Sequence, residues 1–276
     1  GPLTRLSETI LPDRPREHDE SLPHYLDPTV IGTTPAALAC VSRETLRLSD
    51  IVQKMMRLTL DSFRTNNARL VQEIREMEKN VDSLYEAVKN YLARLSPQEF
   101  TPEESKKYMQ ILTFSTNLEH IGDIIDKNLM EMAAQKIRNQ DNFSRAGFAE
   151  ISSLHARVME NMQLAQNVFM TGDVRMARRL FEEKAVLRTQ EMQAAESHFR
   201  RLSQGVAETI ATSNLHLDIL RDLRRINSYT ALISYPILED AKELSPTRLK
   251  PAKAAKTKAP GAAKKKKSDP ENHSQE

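Results

Sequence analysis

The sequence predicts an all-α protein built as two tandem antiparallel three-helix bundles, and three observations predict it. Apolar residues recur at helical spacing, as at Ile74, Met77, Val81, Leu84, Val88, Leu92 and Leu95. The turn Phe63-Arg64-Thr65-Asn66-Asn67-Ala68-Arg69-Leu70 returns as Phe169-Met170-Thr171-Gly172-Asp173-Val174-Arg175-Met176. An acid-x-x-x-acid pair, Glu119 and Asp123, returns as Asp218 and Asp222. Short connections between long helices force neighbours to run antiparallel, so the repeat is itself the fold.

The elements follow in order. Residues 1–32 carry Pro2, Pro12, Pro15, Pro23 and Pro28 and read as a largely extended linker. The opening Gly1-Pro2-Leu3 reads as a protease scar on an excised fragment. The first repeat, 33–140, holds helices from about Thr34 to Thr65 and about Asn67 to Leu95, and a third that begins at Thr101-Pro102-Glu103-Glu104. Thr101 caps that helix, Pro102 suits its first position, and Glu104 completes a capping box. A break near Asn139 to Phe143 separates the second repeat, 141–243. Its helices run from about Ser144 to Thr171, Asp173 to Leu202 and Glu208 to Leu238, with Pro236 bending the last turn. Residues 244–276, biased to Pro, Ala and Lys, have no core to bury and read as a disordered tail.

Composition narrows the class. The 276 residues are 39% apolar and 28% charged, with no Trp, which suits a helical protein with a real core. No stretch approaches the about 18 to 20 apolar residues that span a bilayer. Cys40 is the only cysteine, so neither an internal disulfide nor a cysteine metal site exists. The net charge of +2 is misleading, because the last 32 residues hold nine of the 40 basic residues and three of the 38 acidic ones. The helical body is therefore mildly acidic and lacks interleaved basic and aromatic residues, which argues against nucleic acid as a partner.

Residues four apart share a helix face, so each acid pair presents two carboxylates together. A further pair, Glu78 and Asp82, lies on the preceding helix. Antiparallel packing would bring Glu78, Asp82, Glu119 and Asp123 to one patch, whose repulsion a cation would relieve. Read from spacing alone, Glu78 and Asp82 also fit the wet border of an apolar stripe, where solvent suffices. Carrying the recurring turn forward sets Lys184 opposite Glu78 and Arg188 opposite Asp82, so the second repeat is expected to neutralise Asp218 and Asp222 through an ion-pair network with Lys184 and Arg188. His120 points about 100° from Glu119 and reads as a packing or surface residue. Asp126, three residues after Asp123, either extends the acidic row or, as the spacing favours, is an exposed acid. Met55, Met56, Met159 and Met162 fall at core positions.

Leu118-Glu119-His120-Ile121-Gly122-Asp123-Ile124-Ile125-Asp126-Lys127-Asn128-Leu129 and Leu217-Asp218-Ile219-Leu220-Arg221-Asp222-Leu223-Arg224-Arg225-Ile226-Asn227-Ser228, set in the doubled bundle, resemble the PhoU family over about residues 35 to 240. They are most similar to the cytosolic domain that follows the membrane part of bacterial sodium/phosphate symporter-like proteins. The resemblance implies a non-enzymatic regulatory domain on the cytoplasmic face of the inner membrane, modulating phosphate uptake by a transmembrane symporter portion of the same full-length chain. It also implies a divalent or multinuclear metal, Fe, Zn, Mn or Mg, on Glu78, Asp82, Glu119 and Asp123, although all-oxygen ligation suits Mg, Mn or Ca better than Zn. Lys264, Lys265, Lys266 and Lys267 would then meet anionic lipid headgroups, at about 1 kcal/mol per basic residue near the surface. On this resemblance residues 1–32 would be the juxtamembrane linker, and a homodimer is compatible with the reading.

Two alternatives stand beside it. One is a free-standing PhoU that restrains a phosphate ABC transporter and its sensor kinase. The other is a carboxylate-bridged helical-bundle metalloenzyme. Such enzymes use Glu-x-x-His, which occurs nowhere in the sequence, and no nucleophilic triad or glycine-rich phosphate loop is recognisable.

Overall fold

The computed structural model describes residues 21–244, and every element among them is helical. Local chemistry sets the helix ends. α1 (Thr34–Thr65) stops at Asn66, which takes the left-handed conformation, and Asn67 then caps α2 (Ala68–Ala93) by accepting the Arg69 N–H. The same device recurs where α5 (Arg145–Thr171) meets α6 (Val174–Ser203). Gly172 is left-handed there, and Asp173 accepts the Met176 N–H. Phe63 and Phe169, which open the two turns, are both buried.

α3 (Pro102–Ile124) begins with a complete capping box, the Thr101 hydroxyl accepting the Glu104 N–H and the Glu104 carboxylate accepting the Thr101 N–H at 2.8 Å. Thr101→Ala is expected to cost about 1 kcal/mol, read as a lower urea midpoint at unchanged slope.

The third helix does not continue as a plain α-helix. Its next six residues, Ile125–Met130, form a π turn before α4 (Glu131–Asn139) resumes. The expected last helix is likewise divided, into α7 (Ala207–Ala211), α8 (Ser213–Thr230), the 3₁₀ turn Ala231–Ile233 and α9 (Ser234–Asp240). Pro236 lacks the N–H that would reach the Leu232 carbonyl, so the chain tightens just before it.

α1 packs on α2 and α3, and α5 packs on α6 and α8. The two bundles then pack together through α1 with α5 and α3 with α8, around one continuous apolar core. Phe114 stacks on Phe169 with ring centroids 4.7 Å apart. Buried polar contacts fix the register. His155 Nε2 lies 2.7 Å from the Met56 carbonyl, Gln53 donates to Gln166 at 3.1 Å, and Gln166 donates to Asp50 at 2.7 Å.

Residues 21–32 correct the linker expectation. The buried Glu44 carboxylate accepts the N–H groups of His24 and Tyr25 at 2.8 and 2.7 Å, the Tyr91 hydroxyl donates to the Asp27 carbonyl at 2.6 Å, and Pro28–Val30 forms a 3₁₀ turn. The first bundle's polar groups hold the backbone of this segment, and its Leu26 and Ile31 pack against the apolar core. The expected tail from Ser245 onward, with Lys264, Lys265, Lys266 and Lys267, lies outside the described residues, as does the start of the chain.

Candidate functional site

The first bundle gathers acids where α2 passes the end of α3. Glu78 and Asp82 lie one turn apart on α2, and Asp123 arrives from α3 with a carboxylate oxygen that lies, like theirs, within 4.8 Å of the other two. Gly122 permits this approach, because a Cβ there would meet Val81 Cγ1 at 3.2 Å. Glu78 is buried, and its Oε1 has no hydrogen-bond partner. Burial, reinforced by the charges of Asp82, Asp126 and Asp123, pushes its carboxyl up to about 7.

The π turn brings a further acid. Asp126 approaches the cluster with one buried oxygen lacking a hydrogen bond, and its carboxyl is raised by burial against the pull of Arg75, 3.6 Å away. The sequence leaves Asp126 between an extension of the acidic row and an exposed acid, and here it is half-buried beside the row. Glu119, expected among the ligands, stands outside the three. Its carboxylate sits 2.8 Å from His120 Nδ1, and burial raises its pKa while His120 lowers it. His120 packs on Tyr229, ring centroids 5.2 Å apart. Lys127 Nζ sits 2.5 Å from Asp123 Oδ1 and is the cation nearest the group.

This donor set fits a hard cation. It is all oxygen, three carboxylates converge, and an orphaned buried oxygen belongs to one of them. Any cation held there would be held by Glu78, Asp82 and Asp123, with Asp126 beside them.

The second repeat departs from expectation. Lys184 does not reach its acids, because its Nζ donates to the Tyr235 hydroxyl at 2.9 Å, and Arg188 is exposed. Asp218 pairs instead with Arg221 at 2.9 Å. Asp222 is fully buried and accepts from Arg225 Nη1 at 2.8 Å and from Asn128 Nδ2, across the bundles, at 3.0 Å. The cause lies in chain length. The second half runs fewer residues from its turn to its acid pair than the first, so the first half's spacing counted from the turn stops about two helical turns short of the α6 stretch near that pair, where Glu191 meets Arg224.

A second ionic group escaped the sequence reading. Arg201, nearly buried, donates both terminal nitrogens to Glu150 at 2.7 Å. His216 Nε2 lies 3.1 Å from Glu150 but off the hydrogen-bond axis. His198 stacks on His216 with centroids 4.7 Å apart and an interplanar angle of 8°, and its Nε2 meets Ser213 Oγ at 2.9 Å. Burial alone would raise the Glu150 carboxyl, but His216, Arg201 and Ser197 together hold it down at about 2. The signal was present in helical phase, since Leu187, Ala194 and Arg201 recur every seven residues, with His198 beside them.

Fold and site together define an all-helical protein of two three-helix bundles, with carboxylates converging where the second and third helices of the first bundle meet. The chain belongs to the PhoU family, whose PhoU domain matches residues 45–132 and 151–235. That family is regulatory, not catalytic. Two solved structures share the fold. PhoU from Pseudomonas aeruginosa superposes with a TM-score of 0.68 at 18% identity, over 75% of this chain and 98% of that one. The phosphate transport system regulatory protein PhoU from Streptococcus pneumoniae gives 0.67 at 14%, over 77% and 99%. Among curated proteins, YjbB of Escherichia coli K12, provisionally named an inorganic phosphate export protein, is 35% identical over 242 residues, 88% of this chain. YjbB of Salmonella typhimurium, named likewise, is 34% identical over 237 residues, 86% of this chain. This chain spans 44% of the length of each of these two relatives. Among the described residues no helix is long and apolar enough to cross a membrane.

Proposed function

We propose that this chain is the non-enzymatic regulatory part of a phosphate-transporting membrane protein, acting on the cytoplasmic face of the inner membrane. The observation that carries the reading is the junction of Glu78, Asp82 and Asp123 in a chain that matches less than half of phosphate-export relatives. The membrane-embedded partner is then the remainder of the full-length protein, and sodium coupling belongs to that remainder. Since those relatives are named for export, the direction we propose is efflux, in place of the uptake expected from sequence. A divalent cation on Glu78, Asp82 and Asp123 would set the packing of α2 against α3. Anionic lipid is the proposed partner of the Lys264–Lys267 run.

A second reading is supported by the near-complete coverage of two solved PhoU chains, namely a free-standing PhoU that restrains a phosphate transporter. One experiment addresses both. Asp82→Asn with Asp123→Asn, introduced into the full-length gene, is expected to strip bound metal, read by elemental mass spectrometry, and to change cellular phosphate efflux at least about threefold at equal protein abundance. Unchanged efflux would sink the regulatory role of the junction, and a change in uptake alone would favour the free-standing reading.

A further inference from the structure

Next to the acidic junction, and sharing Asp123 with it, α3 and its π turn meet α8 across a cleft of about 260 Å³. Its walls carry His120, Asp123, Lys127 and Asn128 from one bundle and Arg225 and Tyr229 from the other. We propose that this cleft is a binding site for inorganic phosphate, a deepening that rests on the regulatory reading above.

The chemistry of the walls supports an oxyanion. Arg225 engages Asp222 through Nη1, which leaves the other edge of a planar fork suited to phosphate oxygens. Lys127 contacts Asp123 with one of its ammonium donors and is 64% exposed, so it turns toward an anion without being pulled from a core. Asn128 and Tyr229 add an amide and a phenol as donors. Each group is oriented from behind. Asp222 anchors Arg225 and Asn128, Glu119 holds His120 Nδ1, and the His120 ring packs on Tyr229.

Asp123 is the one carboxylate lining the cleft, and it supplies discrimination. At neutral pH phosphate keeps a proton and sulfate does not, so a carboxylate accepts a hydrogen bond from P–OH and repels sulfate. The π turn is the local cause of this arrangement. It places Asn128 against α8 while leaving Asp126 toward α2, and such turns concentrate at functional sites. The cleft also spans both bundles, so an anion bridging Lys127 and Arg225 ties α3 to α8.

Isothermal calorimetry tests the site, with inorganic phosphate titrated into this chain and sodium sulfate as control at matched ionic strength. Saturable phosphate binding is expected, with sulfate at least about tenfold weaker. Lys127→Gln and Tyr229→Phe, both at solvent-reached side chains, are each expected to weaken phosphate binding about three- to tenfold with unchanged circular dichroism. Absence of phosphate heat, equal affinity for sulfate, or full affinity in both variants overturns the proposal. Failure here with efflux still responding to the acidic-pair substitutions removes the cleft and leaves the regulatory reading standing. Phosphate binding with indifferent efflux does the reverse.

Discussion

Glu150→Ala is expected to lose about 3–5 kcal/mol of stability, the largest single-residue effect in the molecule. The loss comes from what remains. Arg201, with 11% of its side chain exposed, keeps its charge and loses both Glu150 oxygens, retaining the neutral Ser197 hydroxyl as an acceptor in place of a carboxylate. Urea unfolding at pH 7 measures it. The acid response of the wild type has the same origin. Burial, with His216 and Arg201, holds His198 down at about 4, so the ring is neutral in the fold and charges on unfolding. Stability from that source is complete above the ordinary value of 6.5 and declines as pH falls toward 4. The contribution of Glu150, whose carboxyl is held at about 2, is complete above 4.5 and declines below it. The gap between wild type and Glu150→Ala should therefore persist to pH 4.5 and narrow only under stronger acid.

Glu78→Gln runs the other way. With its carboxyl raised to about 7 against an ordinary 4.5, the folded protein holds this proton more tightly than the unfolded chain does. Stability therefore falls as pH rises from 4.5 through 7, where Glu78 ionises among Asp82, Asp126 and Asp123. Glutamine removes the charge and keeps the shape, so the metal-free variant should exceed wild type by on the order of 2 kcal/mol at pH 8 and match it near pH 5. Added divalent cation should raise the melting temperature of wild type and leave that of the variant nearly unchanged. If the two proteins melt alike at pH 8 without metal, Glu78 is solvated and the junction is only a wet border.

Helix ends were legible because caps are local chemistry. Asn66 and Asn67, Gly172 and Asp173, and Thr101 with Glu104 announce themselves within four residues. The convergence of Glu78, Asp82 and Asp123 was legible in part, since spacing sets the face of a helix. The departure of Glu119 was not, because packing alone decides how closely each turn approaches its neighbour. The π turn adds one residue to a helix, too small a slip for periodicity to register. Gln53, Gln166, His155 and Asp222 meet partners from the other bundle, and nothing in their own segments names those partners. The Lys184 and Arg188 assignment failed for a geometric reason. It assumed equal path lengths in the two halves, whereas the shorter second half slides Lys184 along to Tyr235.

The widened turn at Ile125–Met130 gives one helix two clocks. Upstream of it the helix keeps time with α2, through Gly122 against Val81 and Asp123 beside Asp82. Within it Asn128 keeps time with α8 through Asp222. A plain α-helix has a single phase, and satisfying one neighbour would rotate the other set of side chains out of reach. The surplus residue lets one helix satisfy both neighbours, so deleting it would draw either Asn128 away from Asp222 or Asp123 away from Asp82.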